Sequence, residues 1–305
     1  MTVEVWPTYK IVIVGNLARA ISQTGELDGP FIGPAITAAS TVGRLGVFEM
    51  ALIGAAHSEW RSSATEDIER CQVQEYVYIE RSHYIATEIE NLRGEVLPVG
   101  IITDRINIRD VPDEFLSSTV ILLSPFAEEV DDELIEWMRS SSDATIVLDP
   151  SFYRVVRNRA IRVPMDAADA RRILRHVDIV TLNEAECEYI VGESDAMVAA
   201  ELLVNWGVGT SVVTRGAEGS VSYSGDEFVL IPAFDTGSPP KCWTGASFAA
   251  GLSKGIADGL KMTDAVALAS SVASLFVEQK DRCRPLDAVE VEHRWRHLRG
   301  EAAFR

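Results

Sequence analysis

Short apolar runs, separated by longer stretches of mixed polarity, recur along the chain. Ile11-Val12-Ile13-Val14 follows Lys10 without a polar break and stops at Gly15. Such a run predicts a strand buried on both faces. Between residues 34 and 45, Ala35, Ala38, Ala39, Val42 and Leu45 fall on one helical face, and Gly46 ends the helix. Residues 48–53, 120–123, 145–148, 179–181 and 211–213 repeat the strand pattern, with helical stretches such as 133–139 and 185–191 beside them. This alternation predicts an α/β fold, with a mostly parallel central sheet flanked by helices on both faces.

Two segments depart from the alternation. Residues 73–80 and 84–89 alternate apolar and polar positions and lead into Asn91-Leu92-Arg93-Gly94, a turn signal. They predict antiparallel strands in a small flap beside the main sheet. Near the end, Ala265, Leu268, Ala269, Val272, Leu275 and Phe276 recur at helical spacing, which predicts an amphipathic helix over 263–279 capped at or near Thr263. No repeat, low-complexity tract or linker divides the chain, so the expectation is a single domain with a small lid from about 15–30 and 73–103.

Composition narrows the function classes. The 305 residues are 47% hydrophobic, enough for one large core. With 46 acidic against 28 basic residues the formal charge is −18, which repels phosphate backbones and disfavours nucleic acid as a partner. A single nucleotide in a local pocket stays open, since backbone N–H groups hold phosphates without basic side chains. Four scattered cysteines (Cys71, Cys187, Cys242, Cys283) form no CxxC, and the opening MTVEVWPTYK is not a cationic apolar signal. Both point to a reduced, cytoplasmic chain with no membrane partner.

Several short motifs stand in a fixed order. They are Ile13-Val14-Gly15-Asn16; Ile32-Gly33-Pro34-Ala35 with Arg44-Leu45-Gly46; Leu52-Ile53-Gly54; and Leu148-Asp149-Pro150-Ser151 with Tyr153-Arg154. Asn183-Glu184-Ala185-Glu186, Thr214-Arg215-Gly216-Ala217-Glu218-Gly219 and Thr244-Gly245-Ala246-Ser247-Phe248-Ala249-Ala250-Gly251 follow. Together they resemble the ribokinase-like (PfkB) carbohydrate kinases over roughly residues 10 to 280, closest to the myo-inositol-kinase-like branch. The resemblance implies a three-layer sandwich with a β lid. It also implies ATP- and Mg²⁺-dependent phosphorylation of a sugar, cyclitol or nucleoside hydroxyl.

By that resemblance, Thr244, Gly245 and Ala246 form the anion hole at a helix start, where free N–H groups and the helix dipole stabilise a transferring phosphoryl group. Asn183, Glu186, Thr214, Gly216 and Gly219 fall on the nucleotide and Mg²⁺ side, and Asn16, Ala20 and Gly33 on the substrate side. The family's catalytic aspartate, which takes the proton of the attacking hydroxyl, aligns with Ala246. Its substrate-holding aspartate aligns with Ala20, and its Gly-Gly loop is reduced to Ile32-Gly33. An alanine cannot accept a proton, so weak or absent turnover is expected.

Plainer readings stand beside these. Asn183 and Glu186 equally suit a capping box, Thr214–Gly219 a hairpin turn, and Asp149-Pro150 a strand exit. Asp235, in Asp235-Thr236-Gly237 ahead of an insertion at 238–241, reads as a loop residue or as a displaced substitute base. His293 and His297 at i, i+4 lack a third ligand and read as surface residues beside Arg294, Arg296 and Arg299. That basic cluster suits an acidic face on a second copy, hence a homodimer. A dehydrogenase is excluded because the first turn, Gly15-Asn16-Leu17-Ala18, lacks GxGxxG. What remains is a divergent small-molecule kinase or a non-catalytic nucleotide- or sugar-binding protein on the same fold.

Overall fold

The structure, a computed structural model, describes residues 9–21, 29–90, 96–150, 153–156, 161–225, 227–238, 241–279 and 286–304. The apolar run before Gly15 is β1 (Ile11–Val14), buried at every position. After it come β2 (Ala18–Ala20), β3 (Phe31–Ile32), α1 (Pro34–Arg44), β4 (Met50–His57), α2 (Arg61–Arg70), β5 (Glu75–Arg81), β6 (Ile85–Glu90) and β7 (Val96–Ile101). The middle of the chain forms β8 (Val120–Leu123), α3 (Asp132–Ser141), β9 (Thr145–Leu148), β10 (Tyr153–Val156), β11 (Ile161–Pro164) and α4 (Ala167–Leu174). Next are β12 (Ile179–Asn183), α5 (Glu184–Val191), α6 (Ala196–Asn205), β13 (Thr210–Thr214), β14 (Ser220–Ser224) and β15 (Glu227–Ile231). The end holds α7 (Thr244–Ala257), α8 (Met262–Glu278), α9 (Ala288–Gly300) and β16 (Ala303–Phe304).

Ten strands form the main sheet in the order β16-β15-β14-β13-β12-β9-β8-β1-β4-β5. From β13 to β5 every pairing is parallel; β14, β15 and β16 add antiparallel strands at one edge. Helices α1, α2, α7, α8 and α9 pack together in one layer, and α3, α4, α5 and α6 in the other. This is the three-layer α/β sandwich expected from the strand–helix alternation. β10 pairs only with β11 among the described residues.

A separate four-stranded antiparallel sheet, β3-β2-β7-β6, is the lid. Its membership differs from expectation. The alternating segment 73–80 becomes β5, which pairs parallel with β4 in the main sheet, with Leu52 opposite Tyr76 and Ile53 opposite Val77. The predicted turn at 91–94 and most of 15–30 beyond β2 lie outside the described residues. Two further differences concern ends. The strand expected over 48–53 starts at Met50 and continues to His57. Helix α8 starts after Lys261, with no side-chain cap, so Thr263 does not cap it.

The chain runs from β1 outward to β4 and β5, then returns to β8 on the opposite side of β1. Connections diverging from neighbouring parallel strands leave a crevice beyond their carboxyl ends. Gly15 follows β1 at this point, and a Cβ there would lie 2.3 Å from the Ser124 carbonyl oxygen after β8. The lid strands begin immediately beyond. Topology alone therefore places the candidate site between the lid and the ends of β1, β8, β9, β12 and β13.

Candidate functional site

At the crevice floor, Asn16 binds the protein rather than facing an open cleft. Its Nδ2 donates to the carbonyls of Ile102 (3.1 Å) and Asp104 (3.0 Å), and its Oδ1 accepts the Ala55 N–H (2.8 Å). Its backbone N–H donates to Glu129 Oε1 (3.1 Å), which also accepts the Phe126 N–H at 2.6 Å, while Oε2 accepts the Ala127 N–H at 2.7 Å. Burial raises the Glu129 pKa above the usual carboxylate range, and these three donors oppose the rise. The amide of Asn16 and the carboxylate of Glu129 together fix the loop after β8 against the exit of β1.

At the other wall, α7 begins with the three residues of the expected anion hole. No side chain caps it. The Thr244 N–H and hydroxyl are both engaged with the Lys241 carbonyl, the hydroxyl at 2.7 Å. The first N–H to enter the helical ladder is that of Ser247, bonded to the Trp243 carbonyl. Gly245 and Ala246 thus lie in the first turn, where N–H groups project from a helix end toward any anion. Ala246 presents a methyl group and is 3% exposed. No proton acceptor stands at that position.

A carboxylate does reach this helix mouth from elsewhere. Asp149 follows β9, and its Oδ1 lies 3.5 Å from where a Cβ on Gly245 would stand. The Ser124 hydroxyl donates to Oδ2 (3.3 Å) and the Thr181 hydroxyl to Oδ1 (3.4 Å). Burial pushes the Asp149 pKa up to about 7, with the two hydroxyls pulling it back. The structure gives Asp149-Pro150 a position beyond that of a plain strand exit.

Aromatic rings pack beside the residues expected on the substrate side. Trp243 precedes α7 with a positive φ of 66°. A bulky residue in the left-handed region costs roughly 1–2 kcal/mol. The ring is retained against Phe126, with centroids 5.4 Å apart and planes at 48°. Phe126 packs in turn with Ala18, Val99 and Ile101 of the lid. A Cβ on Gly33, at the start of α1, would come within 3.0 Å of the Phe126 ring. Ala20 sits in β2, buried, its N–H bonded to the Pro30 carbonyl.

The nucleotide-side residues gather at the neighbouring strand ends. Asn183 ends β12 opposite Thr214, which ends β13. Asn183 and Glu186 form a reciprocal capping box on α5, the Glu186 N–H to Asn183 Oδ1 at 2.9 Å and the Asn183 N–H to Glu186 Oε2 at 2.8 Å. The Thr214 hydroxyl donates to the Leu182 carbonyl (3.3 Å). Gly216 opens a short 3-10 turn with nothing within 4 Å of its Cβ position, and Gly219 closes that turn. Asp235 is exposed, with its Oδ1 accepting the Gly237 N–H (2.9 Å) in a local turn.

His293 and His297 are exposed on α9, and no group of three or more potential metal ligands occurs among the described residues. The neighbouring arginines pair within the chain instead of presenting a free basic face. Arg294, counted in the basic cluster expected to face a second copy, is 5% exposed and bonded to Glu278, Glu290 and Ser274. Arg296 pairs with Glu292 and Arg299 with Asp264. Sequence reasoning passed over Ser124, Phe126 and Glu129, and read Asp149-Pro150 as a motif at a strand exit. Only Asp149 carried a signal, its place in the Asp149-Pro150 motif; Glu129 follows Glu128 and looks like a surface acid.

The sequence matches a known family, and the fold matches solved structures. Residues 113–288 match the pfkB family carbohydrate kinase pattern. The cytidine kinase of Thermococcus kodakarensis is 28% identical over 161 residues, 52% of this chain and 55% of that protein. An uncharacterized sugar kinase of Escherichia coli, YegV, is 34% identical over 149 residues, 47% of this chain and 44% of that protein. The chain thus matches about half the length of these curated relatives. A pyrophosphate-dependent kinase in the ribokinase family, solved with a pyrophosphate analog and myo-inositol, superposes with a TM-score of 0.72 at 18% identity, covering 93% of this chain and 99% of that one. Ribokinase from Thermotoga maritima gives a TM-score of 0.71 at 17% identity over 94% and 100%. At such identities the two structures speak to the fold.

Proposed function

We propose, for a chain that belongs to the pfkB family of carbohydrate kinases, that it holds a phosphoryl donor at the mouth of α7 and passes its phosphoryl group weakly or not at all to a small hydroxyl acceptor. The acceptor class is a sugar, cyclitol or nucleoside, and the donor is ATP. One observation carries this reading: α7 opens uncapped onto the crevice while a methyl group fills the position of the family's base. The backbone part of phosphoryl stabilisation needs no side chain. The proton-accepting part does, and its loss costs about 10²–10⁴ in rate.

Asn183, Glu186, Thr214 and Gly216 would line the donor side, since they stand at the ends of the adjacent strands β12 and β13. Mg²⁺ is ordinarily held by one or two carboxylates, water and the donor's own phosphates. Glu186 meets that demand as a single carboxylate, although its Oε2 already serves the capping box. The ion, when bound, would neutralise charge on the donor phosphates. Among this chain's own groups, the Gly245 and Ala246 N–H groups would orient the phosphoryl oxygens.

The test pairs binding with turnover. ATP with Mg²⁺ is expected to raise the melting temperature, by about 2.7 kcal/mol of stabilisation at a hundredfold excess over Kd. Acceptor-dependent release of ADP is expected to stay far below ordinary kinase rates. No thermal shift at millimolar ATP would overturn the binding half, and turnover at about 1–100 per second would overturn the other. A second reading, a nucleotide- or sugar-binding protein without catalysis, is favoured by the Phe126–Trp243 pair packed over Gly33. Under it, acceptor-dependent transfer is absent altogether.

A further inference from the structure

We infer that Asp149, reaching the mouth of α7 from the end of β9, is the proton acceptor for the phosphoryl transfer that this protein retains. The inference rests on the reading that α7 holds the phosphoryl group. Geometry selects the residue. An attacking hydroxyl must approach the phosphorus held at the first turn of α7, and Asp149 Oδ1 lies 3.5 Å from the Cβ position of Gly245 in that turn. The other candidate, Asp235, is exposed and folded into its own turn with Gly237. Glu129 has both oxygens bonded to backbone N–H groups, and Glu186 holds the N-terminus of α5.

The surroundings of Asp149 suit a base. Ser124 after β8 and Thr181 on β12 each donate a hydroxyl to it, which fixes the plane of the carboxylate. No charged side chain contributes to its raised pKa; burial does, opposed by those two hydroxyls. The charged groups on flanking elements are committed elsewhere: Lys241 Nζ to the carbonyls of Phe276 (3.3 Å) and Gln279, and Glu129 and Glu186 as described. A pKa of about 7 puts a carboxylate near the value at which a general base is most effective at neutral pH. An ordinary aspartate, titrating near 3.9, would be a weaker acceptor.

The step balances without a further reactant. Asp149, ionised, takes the proton of the acceptor hydroxyl. That oxygen forms the new bond to the terminal phosphorus of the nucleoside triphosphate, and the phosphorus–bridging oxygen bond breaks. The departing diphosphate keeps the electron pair, and the Asp149 proton passes to water once product leaves.

The experiment measures transfer from radiolabelled ATP to a panel of sugars, inositols and nucleosides between about pH 5.5 and 9. It uses wild type, Asp149→Asn, Thr181→Val and Asp235→Asn, with an ATP thermal shift for each. In wild type, slow acceptor-dependent transfer should rise with pH around a midpoint near 7. Asp149→Asn should lower it by about 10²–10⁴ while keeping the thermal shift. Thr181→Val removes a hydrogen bond that lowers the Asp149 pKa, so its midpoint should move upward, a shift that a purely structural role would not produce. Asp235→Asn should match wild type. The inference is overturned if Asp149→Asn stays within about threefold of wild type. It is equally overturned if wild type binds ATP but shows no acceptor-dependent transfer at any pH, an outcome that leaves the donor-binding reading intact. Absence of the wild-type thermal shift instead removes that reading, and the inference with it.

Discussion

Replacing Asp149 by asparagine removes a titration from the folded protein while nearly preserving the side chain's shape. In the native state burial lifts the carboxyl from an ordinary 3.8 to about 7. The folded protein therefore binds this proton more tightly than the unfolded chain does. Between about pH 4 and 7 the native state carries more bound proton, so this group's contribution to stability falls as pH rises and levels off above 7. Three pKa units at 1.36 kcal/mol each set a ceiling of about 4 kcal/mol, which partial solvent access reduces. Asparagine has no such titration. Urea unfolding of both proteins at pH 5, 6, 7 and 8 spans about two of those units, so the stability difference should grow with pH in favour of the variant by up to ~2.7 kcal/mol. Glu129 shifts in the same direction but is common to both proteins and cancels. Parallel pH curves would show that Asp149 is not held in a desolvated site, and would refute the reasoning from burial.

Three other outcomes are expected. Gly219→Ala should lower stability by more than about 2 kcal/mol in chemical denaturation, because φ is +90° and the new Cβ would stand 2.0 Å from the Ile231 carbonyl oxygen. Ala246→Asp should raise acceptor-dependent ADP release in a coupled assay by less than the roughly 10²–10⁴ of a wholly absent base, since Asp149 already accepts the proton at the same helix mouth. Arg294→Ala should cost about 1–3 kcal/mol, read as a fall in melting temperature, because it removes a nearly buried guanidinium bonded to Ser274 and stacked on Phe234, while Glu278 and Glu290 keep access to water.

The central strands were legible because burial on both faces leaves no polar position. β1, β8 and the interior of β9 are apolar throughout, and their boundaries match the apolar runs. The same logic misled at residues 73–80. An edge strand exposes part of its surface even in a parallel sheet, so β5 carries polar and half-buried residues instead of an unbroken apolar run, and its sequence resembles that of a flap strand. The place of Ala246 in the first turn of α7 was legible because the small-residue run Thr244–Gly251 marks a helix start. Asn16 was not legible as a structural residue: its amide partners lie 39, 86 and 88 residues away. The setting of Asp149 was hidden likewise, since Ser124 and Thr181 are 25 and 32 residues distant and neither hydroxyl belongs to a motif.

The Asn16 amide has a mechanical consequence. The chain crosses from core to lid just after Asn16 and leaves β7 just before Ile102, and one carboxamide grips the second crossing while standing on the first. On the core side it is riveted to Ala55 after the middle of β4. Two of the four chain crossings between core and lid are thereby clamped at their roots, while those at Gly33 and at residues 82–84 are not held by this amide. Along the two clamped crossings, any swing of the lid over the crevice has to bend outward of Ala18 and Ile101, in the strands themselves. The amide protons of Asn16 and Ala55 should accordingly exchange with solvent at the slow rate of the central sheet, while protection declines only farther out along β2 and β7.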